Sequence, residues 1–86
     1  MKYTVLWVRR AESKLAQIWN EAADRTAVTH AANSVDKVLG NDPENCGESR
    51  PDGQRIHIVS PLAVTFRVEI DDRIVRVVDV WRFRRQ

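Results

Sequence analysis

Hydrophobic residues in this 86-residue chain change their spacing once, and that change restricts what it can fold into. Between Ala11 and Leu39 they recur every three or four residues, as one face of a helix requires; from Arg55 onward they alternate or run together, as strands require. In the first half Ala11, Leu15, Ile18, Trp19 and Ala22 form one stripe, with Glu12, Lys14, Gln17 and Glu21 between them. Asp24-Arg25-Thr26 interrupts the pattern, and Thr26 can cap a second helix striped by Val28, Ala31, Ala32, Val35, Val38 and Leu39 and ended by Gly40. So short a connection makes the two helices antiparallel neighbours sharing one hydrophobic floor.

That floor is a sheet. Tyr3 to Val8 is β-branched, aromatic or aliphatic and too short for a stable helix, so it reads as a strand buried on both faces. Residues 41 to 54 concentrate turn formers and read as a surface loop. Three strands follow, Arg55 to Val59, Leu62 to Ile70 and Ile74 to Trp81, separated by Ser60-Pro61 and Asp71-Asp72. In the middle strand Val64, Phe66, Val68 and Ile70 alternate with Ala63, Thr65, Arg67 and Glu69, which leaves Arg67 on the exposed face. The last strand is apolar on both sides and should be central. The expected fold is α+β in the order β-α-α-β-β-β, a two-helix hairpin packed on a four-stranded, largely antiparallel sheet. Leu15, Ile18, Trp19, Val35, Leu39, Val64, Phe66 and Val68 should form its core.

Residues 1–86 leave room for one domain only. A single cysteine, Cys46, rules out an internal disulfide and a cysteine-based zinc cluster. Together with an N-terminal apolar run too short to cross a bilayer or serve as a signal peptide, this points to the cytoplasm and away from a membrane. No metal and no cofactor are expected. Net charge is only +2, but it is unevenly spread. Residues 1 to 10 carry three basic side chains and no acid, residues 11 to 52 four against eight acidic, and residues 53 to 86 seven against four. Eleven of the 14 basic residues are arginine, whose planar fork suits phosphate. Trp81-Arg82-Phe83-Arg84-Arg85 is an aromatic-basic tail of a kind that can stack on bases and hold phosphates.

The element order, with Ala11-Glu12 leading to Leu15 and Ile18-Trp19, Leu39 followed by Asp42-Pro43 and Gly47, Arg55 opening the second strand, and Val64-Thr65-Phe66-Arg67-Val68, resembles the RelE/ParE toxin superfamily over nearly the whole chain. The resemblance implies the toxin of a type II toxin–antitoxin system, held by a cognate antitoxin protein. It would act on the ribosome and its mRNA as an endonuclease, or on DNA gyrase as a poison. RNA cleavage needs a base for the ribose 2′ proton, an acid for the leaving oxygen and cations for the phosphorane charge. The resemblance carries catalytic roles to Arg55, His57 and Arg82, and nucleic-acid contacts are assigned to Arg67, Arg84 and Arg85. Two departures count against the nuclease: Ala63 stands where RelE-like enzymes carry an arginine, and the C-terminal tyrosine or histidine has no counterpart. A third reading, a catalytically degenerate antitoxin-binding module, follows from Ala63.

His57 is the sharpest single candidate, because imidazole titrates near neutrality and alternation with Ile56 and Ile58 puts it on the face opposite the core. His30 has no second ligand nearby in sequence. Asp71-Asp72 suit a hairpin tip, and Cys46 sits in a polar loop without a positioned base.

Overall fold

The computed structural model describes residues 2–83. Its elements are β1 (Thr4–Trp7), α1 (Arg9–Glu21), α2 (Arg25–Asn41), a single 3-10 turn (Pro43–Asn45), β2 (Glu48–Ser49), β3 (Arg55–Val59), β4 (Leu62–Glu69) and β5 (Ile74–Arg82). The strands lie in the order β1-β5-β4-β3-β2, with β1 parallel to β5 and every other pair antiparallel. The α+β architecture is as expected, with five strands instead of four. The extra strand comes from the loop, where Glu48 and Ser49 pair with Ile56 and Arg55.

Both helices lay their apolar stripes on one face of this sheet. Ala11 and Ile18 of α1 and Val28, Ala31, Val35 and Leu39 of α2 are buried against Leu62, Val64 and Phe66 of β4 and Val75, Val77 and Val80 of β5. Leu15 and Val68 pack at the margin of this core. Trp19 does not enter it: it stands at the edge of the α1 stripe, beside the buried Ile18, and is 40% exposed.

Several local details differ from expectation for identifiable reasons. Asp24, not Thr26, caps α2: its carboxylate accepts the Ala27 amide at 3.0 Å, the ordinary capping bond of an acidic residue. Gly40 does not end the helix, which runs to Asn41; the Gly40 carbonyl accepts the Tyr3 amide at 2.8 Å, tying α2 to the start of β1. β1 is an edge strand with Thr4 and Leu6 exposed, so it is not buried on both faces. β5 is central, as its composition requires. Between the pairs Thr65↔Asp79 and Phe66↔Val77, Val78 has no partner, a β-bulge that lets Val77 and Val80 both face the core.

The β3–β4 hairpin fixes the positions of the candidate site residues. Its two-residue connection pairs Val59 with Leu62, so His57 lies opposite Val64 and Arg55 opposite Phe66. Cross-strand partners share a face. Arg55 and His57 therefore point to the helix side, and Ile56 and Ile58 point away from it. This reverses the orientation inferred from alternation within β3.

Candidate functional site

Arg82, Leu62 and Val59 form one row across the helix-side face, Val80, Val64 and His57 the next, and Val77, Phe66 and Arg55 a third. The three residues given catalytic roles by resemblance thus share a face of the sheet, the face opposite to the one expected. Their Cα positions are spread along that face. Two strand spacings and one two-residue step separate His57 from Arg82, roughly 12 Å between Cα atoms, and Arg55 is farther, roughly 16 Å.

Their environments differ as well. Arg55 is half-buried and committed to the fold: its Nε donates to the Cys46 carbonyl at 2.8 Å and its Nη2 to the Gly47 carbonyl at 3.3 Å. The guanidinium clamps the 41–54 loop onto β3. Gly47 makes this close approach possible, with φ at +69° and its missing Cβ only 2.0 Å from the Ile56 carbonyl oxygen. His57 is half-buried, and burial pushes its pKa below the ordinary imidazole value. Burial thus favours the neutral form of the ring. Arg82 is exposed at the end of β5.

Arg67 lies on the opposite face, exposed as expected and paired across the sheet with Arg76, which in turn bonds Glu69 at 2.6 Å. Ala63 is on that outer face too, between Ile58 and Trp81, so an arginine there would project away from His57. Arg84 and Arg85 fall outside the described residues. Among the described residues no three His, Cys, Asp or Glu side chains group as a metal site, and no helix is long and apolar enough to cross a membrane. Burial pushes the Cys46 thiol pKa up, which suits a packing role better than a nucleophile.

Sequence reasoning did not anticipate an open groove of about 560 Å³ between α1 and α2. Leu15, Ala16, Val28 and Ala32 line it, with Trp7 and Glu12 toward one end and Trp19 toward the other. Each indole is fixed by its N–H. Trp7 donates to the Asp36 carboxylate at 2.7 Å, and Trp19 to the Thr29 hydroxyl at 3.1 Å. The Arg25 guanidinium lies 4.7 Å from the Trp19 ring centroid while donating to the Trp19 and Asn20 carbonyls at the end of α1. The available signal was Trp19 itself, a large aromatic at the edge of a helical stripe.

No protein-family model matches the sequence, and no curated protein matches it. Solved structures do share the fold. A chain of the RelBE2 toxin–antitoxin complex from Mycobacterium tuberculosis superimposes with a TM-score of 0.79 at 15% identity, covering 95% of this chain and 99% of that one. A chain of the chromosomal ParDE toxin–antitoxin system from P. aeruginosa gives 0.68 at 16% identity, covering 96% and 98%. The isolated E. coli RelE toxin gives 0.66 at 16% identity, covering 98% and 87%. The chain shares its α+β fold with these toxin and toxin–antitoxin structures.

Proposed function

We propose that this chain is the toxin of a bacterial type II toxin–antitoxin pair, working in the cytoplasm, and that it acts by binding its target instead of cutting RNA. The fold supports the first half, since the similar structures span nearly the whole chain and are toxins or toxin–antitoxin complexes by description. The engagement of Arg55 by the fold, together with Ala63 and the absence of a C-terminal tyrosine or histidine, supports the second. A nuclease site needs its acid, base and phosphate cations within hydrogen-bond reach of one scissile group. Here one of the two arginines is spent on loop carbonyls. A gyrase poison is the binding mode that fits, with Arg67 on the outer sheet face and Arg84 and Arg85 in the tail as candidate contacts.

That Arg55, His57 and Arg82 share one face favours ribosome-dependent mRNA cleavage as a second reading. Induced expression in bacteria decides between them. The expected result is growth arrest relieved by co-expressing the product of the adjacent gene, with gyrase–DNA cleavage complexes trapped and ribosome-bound messages intact. Messages cut on translating ribosomes, with cutting abolished in His57→Ala, would establish the nuclease. Growth without arrest at full soluble expression would remove the toxin reading itself.

A further inference from the structure

We infer that the outer face of the sheet, which the helices leave uncovered, meets the target protein at two points, an apolar notch at Ala63 and a carboxylate-binding point at Arg67. This deepens the target-binding reading proposed above and rests on it. Alternation along β4 puts Ala63, Thr65 and Arg67 on the outer face, and their cross-strand partners share it. Ile58, Ala63 and Trp81 therefore form one row, and Arg67 and Arg76 another. Four residues of β4 separate the rows, about 13 Å.

The first row has a shape. Ala63 is only 1% exposed, yet among the described residues it is the one buried apolar side chain outside the core beneath the helices. Its flanking partners are large: Ile58, 47% exposed, and Trp81, half-buried. A small floor between two tall walls is a notch for one apolar side chain, with a tryptophan wall of the kind that dominates interface energetics. The alanine that speaks against the nuclease is what keeps this notch open.

Charge decides the chemistry of the second point. Two arginines directly opposite one another repel. Glu69 relieves Arg76 with a bond of 2.6 Å, whereas among the described residues no carboxylate is paired with Arg67. A like-charged cross-strand pair opposes folding, and such a break in local pattern marks a place where function intervenes. The Glu69–Arg76 bond shows the occupant this row accepts, a carboxylate on a guanidinium. A nucleic-acid strand fits less well: its phosphates would meet Glu69 beside the arginines, and Ile56 and Ile58 offer its bases no aromatic platform. A protein surface with an apolar side chain and, about 13 Å away, an aspartate or glutamate matches both rows.

Equilibrium binding of the full-length protein to purified host DNA gyrase, without DNA, tests this. Arg67→Glu sets a carboxylate opposite Arg76, so urea denaturation should find it no less stable than the wild type while gyrase binding weakens at least roughly tenfold. Ile58→Lys removes one wall of the notch and should weaken binding by a similar factor. Lys37→Glu makes the same charge change at an exposed position on α2 and should bind as the wild type does. Unchanged binding in either Arg67→Glu or Ile58→Lys, or an equal loss in Lys37→Glu, overturns the inference. So does a single-stranded oligothymidylate that binds the wild type and is lost in Arg67→Glu while gyrase binding is kept, because the face would then hold nucleic acid. Wild-type protein that arrests growth yet does not bind gyrase at about 100 µM overturns the inference and leaves the toxin reading standing; protein that neither binds nor arrests growth removes both.

Discussion

His57 lies directly across the β3–β4 pair from Val64, a fully buried core residue, on the side of the sheet that carries the helices. A polar ring therefore occupies the inward position, while Ile58, 47% exposed, occupies the outward one. Natural sequences tend to break local pattern where function or another constraint intervenes. Here the constraint is the hairpin. With Ser60 and Pro61 as its only connecting residues, Val59 must face Leu62, and every residue of β3 follows in alternation.

The first prediction concerns acid. Burial holds the His57 pKa below its ordinary value, so between the folded and unfolded pKa values the unfolded chain binds the proton that the folded chain sheds. Stability from this residue is complete above the unfolded imidazole pKa and falls as pH drops through that value toward the folded one. Urea midpoints measured from pH 7.5 down to 5, about the imidazole window, should decline in the wild type and flatten in His57→Gln. Asp79, whose pKa is lowered chiefly by its bond to Lys14, acts at more acid pH: its contribution is present above the ordinary carboxylate value and lost below it. An identical decline in wild type and His57→Gln would mean the ring is not desolvated.

A second prediction separates structural from catalytic use of Arg55. Arg55→Ala removes two charge-assisted bonds to the Cys46 and Gly47 carbonyls, and should cost about 1.5–3 kcal/mol per bond at most, with faster amide exchange at Glu48 and Ser49. Gly47→Ala attacks the same contact from the other side. Its Cβ would meet the Ile56 carbonyl at a positive φ, so a loss of more than about 1 kcal/mol is expected. If Arg55→Ala abolishes a nuclease activity while leaving amide exchange in β2 untouched, the clamp assignment is wrong.

The third prediction contrasts two aromatics. Phe66 is completely buried between helices and sheet, so Phe66→Ala should cost about 3–5 kcal/mol. Trp19 is partly exposed and lies at the groove, so Trp19→Ala should cost clearly less while removing the Arg25 stack. Chemical denaturation of the two variants checks the order; equal losses would return Trp19 to the core.

The long periodic elements were readable from sequence because their stripes are supported by many residues. α1, α2 and the register of β4 follow directly from the spacing of Ile18, Val35, Leu39, Val64 and Phe66. β2 was not readable, because a two-residue strand carries no periodicity and depends on Arg55 and Gly47 bringing the loop close. The inward turn of His57 was present in the sequence but outweighed: five residues of alternation favoured isoleucines inside, whereas the short turn and the strong β4 pattern favoured the reverse. The groove was not readable from stripe spacing, because it depends on how far two helices separate; Trp19 at the stripe's edge was its one sign in the sequence.

The last prediction tests that reversal by substitution. If His57 faces the core, replacing it with valine removes a polar ring from a half-buried apolar setting and matches Val64 across the strand pair. His57→Val should then raise stability by about 1 kcal/mol at pH 7, the scale of an unmade polar interaction. If Ile58 faces outward, Ile58→Lys places a charge where water already reaches, and stability should change by no more than about 0.5 kcal/mol. The opposite orientation predicts the opposite pair of results. A lysine at 58 would then be buried without a partner and would unfold the hairpin, while valine at 57 would only add exposed apolar surface. Measuring both variants by urea denaturation therefore reads out the face of β3 directly, and a severely destabilised Ile58→Lys alongside a neutral His57→Val would return His57 to the solvent side of the sheet.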